Sequence, residues 1–149
     1  MTNPTTGILY IVATPIGNPD DITIRALKIL ESVDAVLCEE FRQGSKTLKA
    51  IGITGKELIP VNEHNEEKQI PQIFERLLLK KQNLALISDC GTPVFSDPGY
   101  KVIQQLAEMD IPVIPIPGPS SLMAALSIMD RNISQFIFGG FLPRDAENR

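Results

Sequence analysis

The sequence has no tryptophan, one histidine and two cysteines among its 149 residues. A framework of one disulfide would add little to a chain of this length, and Cys38 and Cys90 lack metal-ligand spacing, so both are expected to be reduced thiols. A Ser-His-Asp hydrolase would have to be built on His64, the single histidine. Glu63 and Glu66 flank His64 without completing a specific metal-ligand pattern, so no metal is expected and His64 is interpreted as structural.

Long apolar runs and an excess of positive charge are also missing. The longest apolar runs, such as Ile8 to Ala13, are too short to cross a bilayer, and the N-terminus lacks the features of a secretion signal, so a cytoplasmic protein without membrane partners is expected. The 14 basic and 18 acidic residues give a net charge of −4, which argues against broad adhesion to a polyanion. Basic residues recur at Lys46, Lys49 and Lys56, either as a local patch or as a solvated helix face.

Short apolar runs rich in β-branched residues alternate along the chain with stretches of helical periodicity. The predicted strands are Ile8 to Ala13, Ala35 to Cys38, Leu58 to Val61, Leu84 to Ile87 and Val113 to Ile116. Helices are predicted near residues 22–33, 70–78, 102–107 and 122–129, and more weakly over 42–51. A final apolar segment, Phe136 to Phe141, is predicted to be one more strand.

This alternation predicts an α/β fold with a mostly parallel sheet and helices on both faces, because each right-handed crossover places its helix on one side of the sheet. The strands are uniformly apolar rather than alternating, as double coverage requires. Apolar residues make up 43% and charged residues 21% of the chain, which is close to the average for globular domains.

Polar residues and chain-breaking residues gather after each of the five strands. Ligands of open parallel sheets bind outside the carboxyl ends of the strands, where these segments would lie. The segments are residues 14–21, 39–42, 62–66, 88–99 and 117–121. Helix capping alone could explain Asp20 or Asp21, Asp97 and Ser120 one at a time. Several polar groups stand where one cap would suffice, so the five segments together favour a ligand site.

Familiar phosphate-binding and hydrolase motifs do not fit this chain. No G-x-G-x-x-G follows a predicted strand, and residues 44–47 (Gly-Ser-Lys-Thr) lack both the Gly-Lys pair and the upstream glycine of a P-loop. No G-x-S-x-G is present either. A standard dinucleotide site, nucleoside triphosphate site or serine hydrolase is therefore not predicted.

Five motifs in order carry a resemblance to a known family. They read LYIVATPIGNPDDIT, HNE, SDCGTPVFSDPG, PIPGPSS and GFLPR, and they extend from about Leu9 to Arg144. In their order and spacing the chain resembles the tetrapyrrole (corrin/porphyrin) methylases, and within them the ribosomal RNA small subunit methyltransferase I branch. The resemblance implies S-adenosylmethionine as methyl donor, bound in a cleft between two α/β domains of a class III methyltransferase-like fold.

The resemblance also implies a target, an assembly and a domain boundary. The target would be the 2′-hydroxyl of a cytidine ribose in 16S rRNA of the small ribosomal subunit, and the assembly a homodimer. Residues 1–116 would form the N-terminal domain, and residues 117–149 the truncated start of the second domain.

The long segment after the fourth strand is predicted to hold the donor. Gly91 lets the backbone approach a ligand closely and Pro93 fixes the turn, and together with Asp89 and Thr92 they would grip the donor. By resemblance to the family, the donor pocket is completed by residues after the first and fifth strands: Pro15, Ser120 and Ser121. Asp97 is interpreted as a helix cap.

A ribose hydroxyl is a poor nucleophile, so a carboxylate should help to remove its proton. Glu40 is the predicted base, with Arg42 pairing it or steering a phosphate, and His64 is a weaker candidate. A surface ion-pair cluster of Glu39, Glu40 and Arg42 is the alternative.

Two other functions remain open at the level of sequence. The first is a methylase of a small tetrapyrrole precursor. The second is a non-catalytic donor-binding or interaction module, favoured by the segment Cys-Glu-Glu-Phe-Arg at residues 38–42, where a typical member of the branch reads Ala-Glu-Asp-Thr-Arg.

Overall fold

The computed structural model describes residues 6–94 and 98–140. Within these residues five strands form one sheet, and each overlaps a predicted strand. They are β1 (Leu9–Val12), β2 (Ala35–Cys38), β3 (Glu57–Pro60), β4 (Leu84–Leu86) and β5 (Val113–Ile116). The strand order is β3-β2-β4-β1-β5 and every pairing is parallel. The predicted parallel α/β fold is confirmed.

Helices follow the strands as the periodicity predicts. They are α1 (Ile24–Ser32), α2 (Phe41–Ala50), α3 (Glu66–Phe74), α4 (Tyr100–Glu108) and α5 (Ser121–Ser127). A π-helical turn, Glu75–Leu79, continues α3, and a short 3-10 helix, Pro19–Asp21, precedes α1. The weakly predicted helix over 42–51 is present as α2. None of the helices in the described ranges has the length and hydropathy needed to cross a bilayer.

The helices cover both faces of the sheet through two separate apolar clusters. One cluster joins α3 and α4 to one face, for example through Ile73 and Leu106 against Leu37. The other joins α1 and α2 to the opposite face, for example through Leu30 against Val36. Successive side chains of a strand point to opposite faces, so a covered sheet needs apolar residues at every position. The burial of all four residues of β2 meets this requirement.

The chain leaves neighbouring strands toward opposite faces. After β4 it runs to α4 on one face, whereas after β1 and β2, the two neighbours of β4, it runs to α1 and α2 on the other face. Loops that diverge in this way leave a crevice above the carboxyl ends of the strands. The fold therefore places a potential site over β4, β1 and β2.

The predicted strand Phe136 to Phe141 is wrong over the described residues 136–140, which form neither a helix nor a strand, and Phe141 lies outside the described residues. A strand needs a neighbour to receive its backbone hydrogen bonds. Within the described sheet, β5 is paired through β1, and residues 136–140 do not join it. Ile137 is 96% exposed, so an apolar run alone did not produce a strand here.

A buried glutamate connects α3 to the start of α4. The side chain of Glu66 is buried, and its Oε1 accepts a hydrogen bond of 3.1 Å from the backbone N–H of Val102 in the first turn of α4. The N-cap of α4 is Gly99, which has no side chain to accept such a bond. Glu66 therefore caps α4 from another helix and fixes the position at which the segment after β4 ends.

Replacing Glu66 by Ala is expected to lower the free energy of unfolding by about 1–3 kcal/mol, because a buried N–H of α4 loses its acceptor. Glu67→Ala is the matched control, since Glu67 is exposed and its partner is the exposed Lys101 on the surface. Urea denaturation of both variants should show a clearly larger loss for Glu66→Ala. Equal losses would mean that Glu66 does not cap α4.

Candidate functional site

An isolated antiparallel bridge joins the segments that follow β1 and β4. The N–H of Thr14 donates to the carbonyl of Gly91 at 2.8 Å, and the N–H of Gly91 donates to the carbonyl of Thr14 at 3.0 Å. Thr14 is fully buried, and its hydroxyl donates to the carbonyl of Ser88 at 3.3 Å. The hydroxyl of Ser88 in turn donates to the carbonyl of Cys90 at 2.9 Å. These bonds close the segment after β4 into a tight turn against β1.

The conformation of Gly91 explains why the turn carries a glycine. Its φ is +77°, in the left-handed region that residues with a Cβ rarely adopt. A Cβ built on Gly91 would lie 3.4 Å from the Cδ1 atom of Ile16 and 3.7 Å from the carbonyl oxygen of Pro119. The backbone at Gly91 therefore lies close to the segments after β1 and β5, and the close approach of Gly91 to a ligand stays a prediction.

The segment after β5 is attached to the same assembly. The hydroxyl of Thr92 donates to the carbonyl of Pro119 at 3.1 Å. A Cβ at Gly118 would lie 2.9 Å from the Cβ of Ala13, closer than real Cβ contacts, so Gly118 lets this segment rest directly on the end of β1. The three segments that follow β1, β4 and β5 thus form one joined rim.

The rim separates two hollows. The first, of about 190 Å³, is bounded by the segments after β1 and β4 and by α2, with Pro15, Asp89, Cys90 and Lys46 in its wall. The second, of about 590 Å³, is bounded by the segments after β1 and β5. Its wall consists of Ile16, Asp21, Thr23, Gly118, Pro119, Ser120, Ser121 and Ala124.

The predicted donor-binding residues lie on the rim but not in a single hollow. Pro15 and Asp89 line the first hollow, and Ser120 and Ser121 line the second. The others belong to the wall between the hollows or lie next to it: Gly91, the exposed Thr92 and the buried Pro93. The Thr14–Gly91 bridge, which the sequence did not reveal, produces this division.

Glu40 and Arg42 lie at the start of α2. Glu40 occupies the N-cap position but its side chain makes no capping bond, and Arg42 is exposed in the first turn. Within the described residues no hydrogen bond or ion pair joins Glu40 to Arg42, so the predicted pairing of these two side chains is absent.

Capping explains some of the polar residues and not others. The hydroxyl of Ser120 accepts from the N–H of Met123, so Ser120 caps α5 as the capping interpretation predicts. The cap of α1 is Thr23, whose hydroxyl accepts from Ala26 at 3.1 Å, so the prediction of Asp20 or Asp21 as that cap is wrong. Both aspartates lie in the preceding 3-10 helix. The predicted cap Asp97 lies outside the described residues.

The HNE motif organises the segment after β3. The Asn65 side chain accepts from the N–H of Asn62 at 2.8 Å and donates to the carbonyl of Pro60 at 3.1 Å. Glu66 caps α4, and the exposed His64 lies 3.4 Å from Glu63. This geometry gives Asn65 and Glu66 a structural role. Sequence reasoning missed these roles because the partners are backbone groups, which lie nearby in the chain for Asn65 and in α4 for Glu66.

Helix α2 packs unusually close to β2. A Cβ at Gly44 would lie 2.8 Å from the Sγ atom of Cys38, so only a glycine permits this contact. Burial and the negative charge of Asp89 raise the pKa of Cys38 to about 11, so this thiol stays protonated at neutral pH. The other cysteine, Cys90, is exposed and lines the first hollow. Residues 44–47 lie inside α2 and form no phosphate-binding loop.

Metal chemistry receives no support from side-chain clustering. Among residues 6–94 and 98–140, no three His, Cys, Asp or Glu side chains come together in an arrangement that could hold a metal ion.

The fold and rim define an α/β domain with a candidate ligand site built from loops at the carboxyl edge of a parallel sheet. The family model of the Tetrapyrrole (Corrin/Porphyrin) Methylases matches residues 8–147, and the chain belongs to this family.

Curated relatives carry the name ribosomal RNA small subunit methyltransferase I. The protein of that name from Pasteurella multocida is 44% identical over 99% of this chain, which covers 52% of the relative. The Escherichia coli O157:H7 protein is 41% identical over 96% of this chain and 49% of its own length. The Thermotoga maritima protein is 45% identical over 96% of this chain and 64% of its own length. The chain thus spans about half to two-thirds of these relatives.

Solved structures show the same fold. A uroporphyrin-III-C-methyltransferase from Thermus thermophilus matches with a TM-score of 0.60 and 25% identity over 83% of this chain and 54% of its own chain. The native form of a uroporphyrin III C-methyltransferase from the same organism gives a TM-score of 0.60 at 21% identity, covering 80% of this chain and 52% of its own.

Replacing Gly91 by Ala is expected to cost about 1–2 kcal/mol of stability, because alanine is strained at a φ of +77°. Gly139→Ala is the control, since no heavy atom of residues 6–94 or 98–140 lies within 4 Å of a Cβ added at Gly139 and its φ is not in the left-handed region. Urea denaturation should show a loss for Gly91→Ala and little change for Gly139→Ala. A Gly91→Ala variant as stable as the unaltered chain would contradict the geometry of the rim.

Proposed function

We propose that this chain is part of an S-adenosylmethionine-dependent methyltransferase that modifies the 2′-hydroxyl of a cytidine ribose in 16S rRNA. The proposal rests on the combination of sequence identity and loop geometry. This chain is at least 41% identical to the three relatives described above, and its loops join into a rim at the edge of the sheet where ligands of such folds bind. The small ribosomal subunit is the proposed partner, and the proposed location is the cytoplasm.

The rim offers the kinds of backbone and side-chain groups that bind a nucleoside-type donor. Gly118 is exposed at the second hollow, so its backbone is accessible to a flat ligand, whereas the N–H and carbonyl of Gly91 are engaged in the bridge to Thr14. The second hollow, of about 590 Å³, offers the Ser121 and Thr23 hydroxyls and the Asp21 carboxylate beside apolar Ile16. Asp89 would contribute from the first hollow, with Pro15 beside it. We assign the donor to this rim, where Pro93, Thr92 and Ser120 hold the neighbouring turns in place.

The donor, when bound, supplies an already activated methyl group. The residues of the chain would therefore align the acceptor hydroxyl and exclude water. Glu40 would accept the proton that the 2′-hydroxyl loses, because its carboxylate is not used by helix capping. Arg42, two residues further on, would hold a phosphate of the substrate.

The domain organisation follows the same proposal. Residues 1–116 would be the first domain, and residues 117–149 the beginning of a second domain that closes over the rim. Helix α5 has no buried residue, so its surface is available for contact with the proposed second domain. A homodimer is the proposed assembly.

Methylation of a tetrapyrrole precursor is the second candidate. The likeness of the fold to uroporphyrin-III-C-methyltransferases favours it. The two candidates differ in product, since one forms a methyl ether on ribose and the other a methyl-carbon bond on a macrocycle.

A transfer assay with radiolabelled S-adenosylmethionine separates these candidates. The protein is expected to label small ribosomal subunits and not uroporphyrinogen, and the labelled ribose should resist alkaline cleavage because its 2′-oxygen is blocked. Glu40→Gln is expected to lower kcat by about 100-fold or more with little change in KM, as loss of a general base does. The exposed Glu63→Gln is the control. Full activity of Glu40→Gln would exclude Glu40 as the base, and labelling of uroporphyrinogen alone would exclude the RNA target.

Donor binding is tested by calorimetry with S-adenosylhomocysteine. Asp89→Ala/Thr92→Ala is expected to weaken binding at least about tenfold, because it removes a carboxylate of the site and the Thr92–Pro119 bond. Thr54→Ala/Glu108→Ala is the matched control, since both residues are exposed and lie near the opposite edge of the sheet, before β3 and at the end of α4. Equal binding by both double variants would refute the proposed donor site.

A further inference from the structure

Helix α2 carries a one-sided charge. Its ten residues include three cations and no acid. Arg42, Lys46 and Lys49 stand at i, i+4 and i+7, so they share one side of the helix, and all three are exposed. At 1.5 Å per residue they extend over about 10 Å along the axis. We call these three residues the α2 stripe.

Among the residues that the structure describes, the cations of the α2 stripe have no hydrogen-bond or ion-pair partner, unlike several other cations. Arg76, Lys80 and Lys101 each form an ion pair with a glutamate. Within the described residues the α2 stripe makes no hydrogen bond or ion pair. In a chain with a net charge of −4, three unpaired cations on one helix form a local positive surface that the composition does not reveal.

The α2 stripe leads directly to the rim. Lys46 lines the first hollow, as Asp89 does, and Arg42 lies one turn earlier in α2, two residues after Glu40. Phe41, the first residue of α2, is 57% exposed although it is a large apolar side chain. A line of cations with an exposed aromatic ring at its end is the combination by which proteins hold single-stranded nucleic acid.

We propose that the α2 stripe binds consecutive phosphates of an RNA strand and that Phe41 stacks on an unpaired base at its end. The choice of RNA as the ligand rests on the proposed function. The inference that this surface binds a chain of phosphates rests on its charge, exposure and position. An RNA strand held along the α2 stripe would run toward the first hollow, which brings a ribose to the side of the rim where Glu40 lies. The acceptor strand thereby enters along the α2 side of the first hollow, and the donor lies across the rim between Asp89 and the larger second hollow.

The test measures affinity for a fluorescein-labelled 20-nucleotide single-stranded RNA by fluorescence anisotropy, without methyl donor, from 50 to 300 mM KCl. Each phosphate contact contributes about 0.7 to the slope of log affinity against log salt. Lys46→Gln/Lys49→Gln is therefore expected to reduce that slope by about 1.4 and to weaken binding about tenfold at 100 mM KCl. Lys28→Gln/Lys68→Gln, which removes two exposed cations from α1 and α3, should leave the slope unchanged.

Phe41→Ala separates stacking from charge. It is expected to weaken RNA binding about fivefold or more with an unchanged salt slope, and to leave binding of inorganic polyphosphate unaltered, because polyphosphate has no bases. An unchanged affinity of Phe41→Ala for RNA would overturn the stacking contact. A salt slope for Lys46→Gln/Lys49→Gln equal to that of the unaltered chain, or an equal reduction in the Lys28→Gln/Lys68→Gln control, would overturn the phosphate contacts.

This readout is independent of methyl transfer. If the unaltered protein transfers no methyl group but the stripe variants still lose RNA affinity, the inference is retained and the proposed function is rejected. Methylation of small subunits by Lys46→Gln/Lys49→Gln at an unchanged KM would reject the inference and retain the proposed function. Circular dichroism melting of each variant confirms folding, since these side chains are exposed and contribute little to stability.

Discussion

The pair of backbone hydrogen bonds between Thr14 and Gly91 is the contact on which the site depends. Parallel strands β1 and β4 end side by side, and without a link the segments that follow them would leave toward opposite faces. The bridge holds the two segments together before they diverge. Thr92 then extends the connection to the carbonyl of Pro119, so one local pairing organises the loops of three strands.

Packing at a distance from the rim supports this arrangement. Gly44 lets α2 rest on Cys38 at the end of β2, which brings the cationic helix beside the first hollow. Glu66 caps α4 from α3 and fixes the end of the segment after β4. Each of these contacts joins two elements that are far apart in sequence. The two hollows are therefore products of the whole fold and not of any one motif.

Local sequence signals predicted the secondary structure because they act within one element. A sheet covered on both faces requires uniformly apolar strands such as β2, and apolar residues such as Leu30 and Ile73 belong to series that repeat at helical spacing. The site was predicted only as a set of loops at one edge, since the bridge at Gly91 and the cap by Glu66 depend on partners in other segments. The apolar pattern of residues 136–140 predicts a strand. That pattern contains no information about whether a neighbouring strand is available, and the structure shows no strand over these residues.

Hydrogen exchange at the amides of Thr14 and Gly91 tests the central claim most directly. Both N–H groups donate across the bridge, so both are expected to exchange far more slowly than the amide of Gly55, an exposed residue whose N–H donates no backbone hydrogen bond within the described residues. Exchange at Gly91 as fast as at Gly55 would contradict the account, because the segments after β1 and β4 would then not be joined and no common rim would exist.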